Sequence, residues 1–178
     1  MSELRLLLLQ RADNCAAVSG ANRGIGLGMV QKFAAKHSDA IIYAGARDPS
    51  KATALQELAK GNPNVKPVKL ISTDLETNKS VADQIKQEQG GVDVVIANAG
   101  IAKFETFTKT ADISLETMRE HFEVNTLGPL VLFQQVNPIL RGERKFVTIS
   151  TILASLATDF GMPMTDVPYG VSKTAVNS

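Results

Sequence analysis

Tryptophan is absent from this chain, and cysteine (Cys15 alone) and histidine (His37 and His121) are scarce. A lone cysteine excludes an intrachain disulfide framework and a multi-cysteine metal centre, and two histidines far apart in sequence make a zinc cluster improbable. Excess charge is missing too: 19 Lys and Arg stand against 18 Asp and Glu, a formal net charge of +1. Such a balance gives no broad basic field for nucleic acid and no polybasic membrane patch, so any anion site has to be local. Long apolar runs are also lacking. Leu4 to Leu9 is too short, and with Arg5 too charged, for a signal h-region or a membrane span. A reducing, cytosolic setting is the expectation.

What is present fits one folded unit: 178 residues, 44% of them hydrophobic, with no internal repeat, low-complexity tract or linker. Residues 1–14 read as an atypical N-terminal extension and 15–178 as a single domain. Within it, short apolar runs alternate with helix-like segments, the rhythm of a βαβ protein. Cys15 to Val18 gives a first strand, Ile25 to Lys36 a helix and Ala40 to Ala44 a second strand. Asp48-Pro49, a cap followed by proline at the first helical position, predicts a helix to about Lys60 that Gly61-Asn62-Pro63 stops.

Val65 to Ile71 follows as a third strand, then a polar helix from about Thr77 to Gln89 closed by Gly90-Gly91. Val92 to Ala97 is the strongest buried-strand signal and belongs near the sheet centre. Ser114 is placed to cap a long helix through Met118, Phe122 and Asn125 towards Phe133; Lys145 to Ser150 makes a fifth strand, and a last helix starts near Tyr169. The expected fold class is α/β, a Rossmann-like doubly wound parallel sheet in the order 3-2-1-4-5. Ligands in such sheets sit beyond the carboxyl ends of the strands, and each polar signature below falls just after an apolar run.

Val18-Ser19-Gly20-Ala21-Asn22-Arg23-Gly24-Ile25-Gly26 joins the first strand to the first helix. Its glycines let the backbone turn tightly and approach a pyrophosphate, whose charge the helix N-terminus favours. The Gly-x-x-x-Gly-x-Gly spacing differs from the general Gly-x-Gly-x-x-Gly fingerprint, and a plain turn is its other reading. Where an acid after the second strand would bind the ribose hydroxyls of NAD, this chain has Ala46 and Arg47. Arg23 and Arg47 can give forked, charge-assisted bonds to the 2′-phosphate of NADP, or be ordinary surface residues.

Tyr169-Gly-Val-Ser-Lys173 sets a phenol and an ammonium one helical turn apart. At a separation of about 4 Å and an effective dielectric of about 20 the ammonium stabilises a phenolate by roughly 4 kcal/mol. That brings a group that ordinarily ionises near pH 10 to about neutral pH, provided the pocket is dry. The same spacing also suits a solvated helix face on which tyrosine packs over a lysine stem.

These motifs, in this order, resemble the short-chain dehydrogenase/reductase family from about Ala16 onward. The resemblance is carried by Gly20-Gly24-Gly26, Asp74-Leu75 after the third strand, Asn98-Ala99-Gly100 after the fourth, Asn125 in the long helix, Ser150-Thr151 after the fifth, and Tyr169 with Lys173. Gly45-Ala46-Arg47-Asp48-Pro49 and Pro168-Tyr169-Gly170 look like the fungal norsolorinic-acid ketoreductases and sniffer-type carbonyl reductases within it.

The resemblance implies an NADP(H) site made by the loop residues Gly20, Asn22, Arg23, Gly24, Ile25 and Gly26, with Arg47, Asp74 and Leu75 on the adenosine side. Asn98, Ala99 and Gly100 would line the ribose, with Tyr169 and Lys173 beside the nicotinamide. For Asp74 and Asn98 to Gly100, capping and turn formation are equally good readings. Asn125 would interrupt the long helix and lead, through a water, to Lys173; a helix-face amide is the alternative.

The implied reaction moves a hydride between nicotinamide and a small carbonyl or alcohol substrate, with Tyr169 giving the proton and a hydroxyl polarising the carbonyl. That hydroxyl is Thr151 by motif position or Ser150, on the expectation that adjacent strand residues face opposite ways. Leu153, Leu156, Phe160, Met162, Met164 and Val167 could line an apolar cleft or simply pack the loop.

The family pattern continues through a further helix, two strands and a substrate-covering segment, whereas this chain stops at Ser178; an incomplete domain is the expectation. Other readings are a non-catalytic nucleotide-binding or subunit-pairing protein, using the helix from Met118 to Phe133 as a homo-oligomer interface, and a NAD-linked alcohol dehydrogenase.

Overall fold

Strands rich in small and β-branched residues, each followed by a helix with one apolar face, can bury both surfaces of a sheet only by winding helices onto either side. The computed structural model, which describes residues 15–103, 109–157 and 167–177, has this arrangement. In chain order the elements are β1 (Cys15–Val18), α1 (Gly24–Lys36), β2 (Ile41–Ala46), α2 (Thr53–Gly61), β3 (Val65–Lys69), α3 (Leu75–Gln89) and β4 (Val92–Ala97), then α4 (Leu115–Phe122), α5 (Gly128–Val136), β5 (Leu140–Thr148) and α6 (Val167–Val176). The sheet is parallel in the order β3-β2-β1-β4-β5, as the alternation of runs predicts.

The two-residue period of the strands divides the core into two layers. Ala16 and Val18 of β1 join Ile42, Ala44, Val94 and Ile96 against Val30 and Phe33 of α1 and Leu55 of α2. Cys15 and Ala17 pack the other way with Tyr43, Val95 and Ala97 against Val81 and Ile85 of α3 and Leu132 and Val136 of α5. Every residue of β1 and β4 is buried. Each fully buried valine or isoleucine there contributes about 2 kcal/mol by leaving water. Burial also pushes the Cys15 thiol up to about 12, which makes it an inert core residue.

Among the boundaries that differ from the sequence expectation, three have a clear local reason. Asp48 does cap, accepting from the Ser50 N–H at 3.2 Å, but only a 3-10 turn over Pro49–Lys51 follows, and α2 restarts at Thr53 after Ala52 leaves helical geometry (ψ 68°). α3 begins at Leu75, two residues before the expected Thr77, because Asp74 accepts from the Thr77 N–H at 2.7 Å. The long helix capped by Ser114 carries a π turn over Glu123–Leu127, at the place where the resemblance puts an interruption.

The third of these concerns β5, which starts at Leu140 rather than Lys145 and ends before Ser150. Its register jumps from Val92↔Leu140 to Val94↔Lys145, leaving Asp93 opposite Arg141 to Arg144. The buried Asp93 carboxylate organises that irregularity. It accepts from Arg141 Nε (2.9 Å) and Nη2 (3.1 Å) and from the Cys15 N–H (3.0 Å). Asp93 thereby ties the starts of β1, β4 and β5 together at the end of the sheet remote from the glycine loop.

Candidate active site

The carboxyl ends of β1, β2 and β4 carry the glycine loop, Arg47 and the Asn98-Ala99-Gly100 segment. Gly20 has φ +66°, and a Cβ there would stand 2.8 Å from Ala99 Cα. A Cβ on Gly26 would lie 2.2 Å from the Gly20 carbonyl oxygen, so the first turn of α1 lies directly on the loop. Gly24, at φ +58°, has open space around it. α1 starts there with no side-chain cap and no acid in its first turn, which leaves its leading N–H groups for an exposed anion. Asn22, Arg23 and Arg47 are exposed, as is Ile25 at 64%.

A side chain that the motif reading passed over locks this loop to β4. The buried Ser19 Oγ accepts from the backbone N–H groups of Asn98 and Ala99, both at 3.0 Å. In return Asn98 Nδ2 donates to the carbonyls of Ser19 (3.0 Å) and Gly20 (3.2 Å). Asn98 therefore acts as a strap between two strand ends. Asp74 spends Oδ1 on the cap of α3, and the Thr77 N–H holds its carboxyl below the usual range. The neighbouring Leu75 is 56% exposed.

The second part of the site comes from the π turn and α6. The widened turn carries Asn125 to complete burial. Its Oδ1 accepts from the Ile101 N–H (2.8 Å), while Nδ2 donates to the Ile101 carbonyl (2.9 Å) and to Ser172 Oγ (3.0 Å). Lys173, 4% exposed, donates from Nζ to the Ile149 carbonyl at 2.7 Å, and burial pushes its ammonium below the usual lysine range. A Cβ on Gly100 would come within 3.0 Å of Asn125 Oδ1 and 3.6 Å of Lys173 Nζ, so the end of β4 abuts this pair. Tyr169 lies half-buried one turn before Lys173 on α6.

Ser150 and Thr151 both fall beyond the end of β5, so the strand alternation expected to separate them does not operate. Ser150 is exposed, whereas Thr151 is half-buried and its Oγ1 accepts from the Leu153 N–H at 3.3 Å, capping a 3-10 turn over Ile152–Ala154. Thr174 Oγ1 donates to the Ala154 carbonyl at 3.2 Å, which fastens that turn to α6. Of the six apolar cleft candidates, Leu153 and Val167 are half-buried and Leu156 is 92% exposed. Phe160, Met162 and Met164, like the leucine-rich start, lie outside the described residues.

Among the described residues no group of three or more His, Cys, Asp or Glu side chains is placed to hold a metal ion, and no helix is long and apolar enough to cross a membrane. The sequence model of the short chain dehydrogenases matches residues 14–178. The chain belongs to that family. Among its curated relatives, an oxidoreductase of Schizosaccharomyces pombe is 33% identical over 162 residues, which cover 90% of this chain and 62% of the relative. The norsolorinic acid ketoreductase of Aspergillus parasiticus is 33% identical over 171 residues, covering 90% of this chain and 61% of that protein.

Among solved structures, the NADPH-bound carbonyl reductase from chicken fatty liver superposes with a TM-score of 0.82 at 32% identity, over 93% of this chain and 70% of the other. The Sniffer carbonyl reductase of D. melanogaster shares the fold with a TM-score of 0.81 at 22% identity, over 93% of this chain and 71% of that one. The chain thus spans 62% of the length of the first of its curated relatives.

Proposed function

We propose that this chain is the dinucleotide-binding and proton-donating part of an NADPH-dependent reductase of ketones or aldehydes. The observation that carries the reading is a 4% exposed lysine, with no carboxylate paired to it among the described residues, beside Gly100 and one turn after Tyr169. An unpaired buried ammonium is costly to keep, and such groups concentrate where chemistry needs them. The loop fits a dinucleotide by its open Gly24, the close approach of Gly20 and Gly26, and the uncapped start of α1. The exposed Arg23 and Arg47, with no acid at the end of β2, favour the 2′-phosphate of NADP. The NADPH-bound carbonyl reductase from chicken fatty liver, at 32% identity, agrees with this choice.

When bound, the nicotinamide supplies the hydride. Gly20, Asn22, Gly24 and the first turn of α1 hold the pyrophosphate; Ile25 and Leu75 offer apolar surface to the nucleotide, and Asp74 serves the adenine with the oxygen that does not cap α3. Asn98, Ala99 and Gly100 border the ribose. Tyr169 donates its phenolic proton to the carbonyl oxygen of the substrate, and Lys173 stabilises the phenolate left behind. Asn125 fixes Ile101 and the π turn behind Lys173. Thr151 orients the carbonyl; substituting Thr151→Ala is expected to abolish turnover and Ser150→Ala to leave most of it, and loss in the Ser150 variant alone would move the role to Ser150.

The decisive experiment is calorimetric titration of the full chain with NADPH, followed by NADPH oxidation with a panel of apolar ketones. Binding with oxidation is the expected outcome. Binding without oxidation of any ketone indicates a nucleotide-binding protein instead, and no binding rejects the reading altogether.

A further inference from the structure

Lys173 and Tyr169 sit on α6 together with Ser172, which is 1% exposed. Its hydroxyl donates to the Tyr169 carbonyl at 2.8 Å and accepts from Asn125 Nδ2 at 3.0 Å. Thr126 Oγ1, also from the π turn, donates to the Ser172 carbonyl at 2.8 Å. The direction of this chain of bonds is fixed by counting protons. The Ile101 N–H needs an acceptor, so Asn125 Oδ1 faces it and the amide nitrogen faces Ile101 O and Ser172. Ser172 has one proton, given to Tyr169 O, and therefore meets Asn125 as an acceptor.

Asn125 thus joins Ile101, beyond the end of β4, to the π turn, and Ser172 joins the π turn to the helix bearing the proton donor. We propose that Ser172 is a positioning residue, whose hydroxyl sets the rotation and depth of α6 so that Tyr169 and Lys173 meet the bound nucleotide. The inference rests on the reductase reading for its functional part and on the hydrogen bonds alone for its structural part. Ser172→Ala leaves a buried Asn125 N–H without its acceptor, a penalty that α6 relieves by moving. Ser172→Thr keeps the hydroxyl.

Amide hydrogen exchange on the full chain tests the coupling without cofactor. Ser172→Ala is expected to speed exchange about tenfold in residues 101–103, 123–127 and 167–177 together, with β1 and β4 unchanged, and Ser172→Thr to restore it. In ketone reduction the alanine variant should lose about tenfold in kcat with the ketone KM held within about twofold, again restored by threonine. Thr126→Val, which strips only the bond to the Ser172 carbonyl, should give a smaller change in the same segments and serves if the alanine variant does not fold.

Exchange that is unaltered, or raised evenly through the domain, overturns the proposal. So does an alanine variant whose kcat holds while KM rises, or a threonine variant that recovers neither readout. An unsubstituted chain that binds no NADPH sinks the reductase reading instead, and the exchange measurement still decides whether Ser172 couples the three segments.

Discussion

The glycine loop and the Tyr169–Lys173 helix both abut the Asn98-Ala99-Gly100 segment, yet only the loop adds direct backbone-on-backbone packing to its hydrogen bonds. On the loop side, close backbone approach works together with the Ser19 and Asn98 hydrogen bonds. Gly20 approaches the backbone of Ala99, and Gly26 that of Gly20, so closely that any Cβ would collide. On the helix side, placement comes from hydrogen bonds between distant segments: Lys173 to Ile149, Ser172 to Asn125 and Thr126 to Ser172. A steric site breaks abruptly when atoms are added, whereas a hydrogen-bonded one degrades in steps as partners are removed.

Three substitutions and one control probe that contrast, in decreasing order of effect, and a last one lies outside it. Gly26→Ala forces its methyl onto the Gly20 carbonyl and should cost about 3 kcal/mol of stability, along with NADPH binding. Gly24→Ala is its control: with open space around Gly24 only the φ of +58° opposes a side chain, about 1 kcal/mol. Thermal unfolding of the two variants measures the difference, and equal losses would refute the steric account.

Lys173→Met should leave the fold within about 1 kcal/mol of the original, because a buried ammonium is replaced by an apolar chain of similar length, while turnover falls about a hundredfold. A pH signature accompanies it. Burial lowers the Lys173 pKa in the folded chain, so between that lowered value and the ordinary 10.5 the unfolded chain binds the extra proton and stability rises with pH. Chemical denaturation across that alkaline range should show the rise in the original and not in the methionine variant.

Arg47→Asp should weaken NADPH about tenfold while affecting NADH little, because it sets a carboxylate against the 2′-phosphate. Titration with both cofactors checks it, and equal losses would remove Arg47 from the site. The smallest effect lies away from both regions. Lys66, Gln84 and the Tyr43 hydroxyl hold the Glu88 carboxyl down at about 2, against an ordinary 4.5. Its contribution is complete above the ordinary value and is lost as pH falls from there towards 2. Glu88→Gln should flatten that part of an acid-unfolding curve without altering cofactor binding.

The contrast also explains what could be read in advance. Strand runs such as Val92 to Ala97, and glycines at 20, 24 and 26, state their environment in their own side chains, and the sheet order follows from right-handed crossovers. The start of β5 was hidden because Arg141-Gly142-Glu143-Arg144 has no apolar period; a carboxylate on another strand, Asp93, organises it. The 3-10 turn after Asp48 and the early start of α3 turn on whether a cap is followed by one helical turn or several, which tertiary packing settles.

By itself the sequence determined the family, the doubly wound sheet and the glycine loop, since alternation of apolar runs and the absence of Cβ atoms are properties of the residues themselves. Only the tertiary structure decided that Lys173 is dry and bonded to Ile149 O, that Ser19 and Ser172 are the knots of the two regions, and that Ser150 and Thr151 leave the strand before reaching the site. The physical reason is that a backbone carbonyl accepts a bond whatever side chain it belongs to, and a serine hydroxyl acquires meaning only from the partner that folding brings to it.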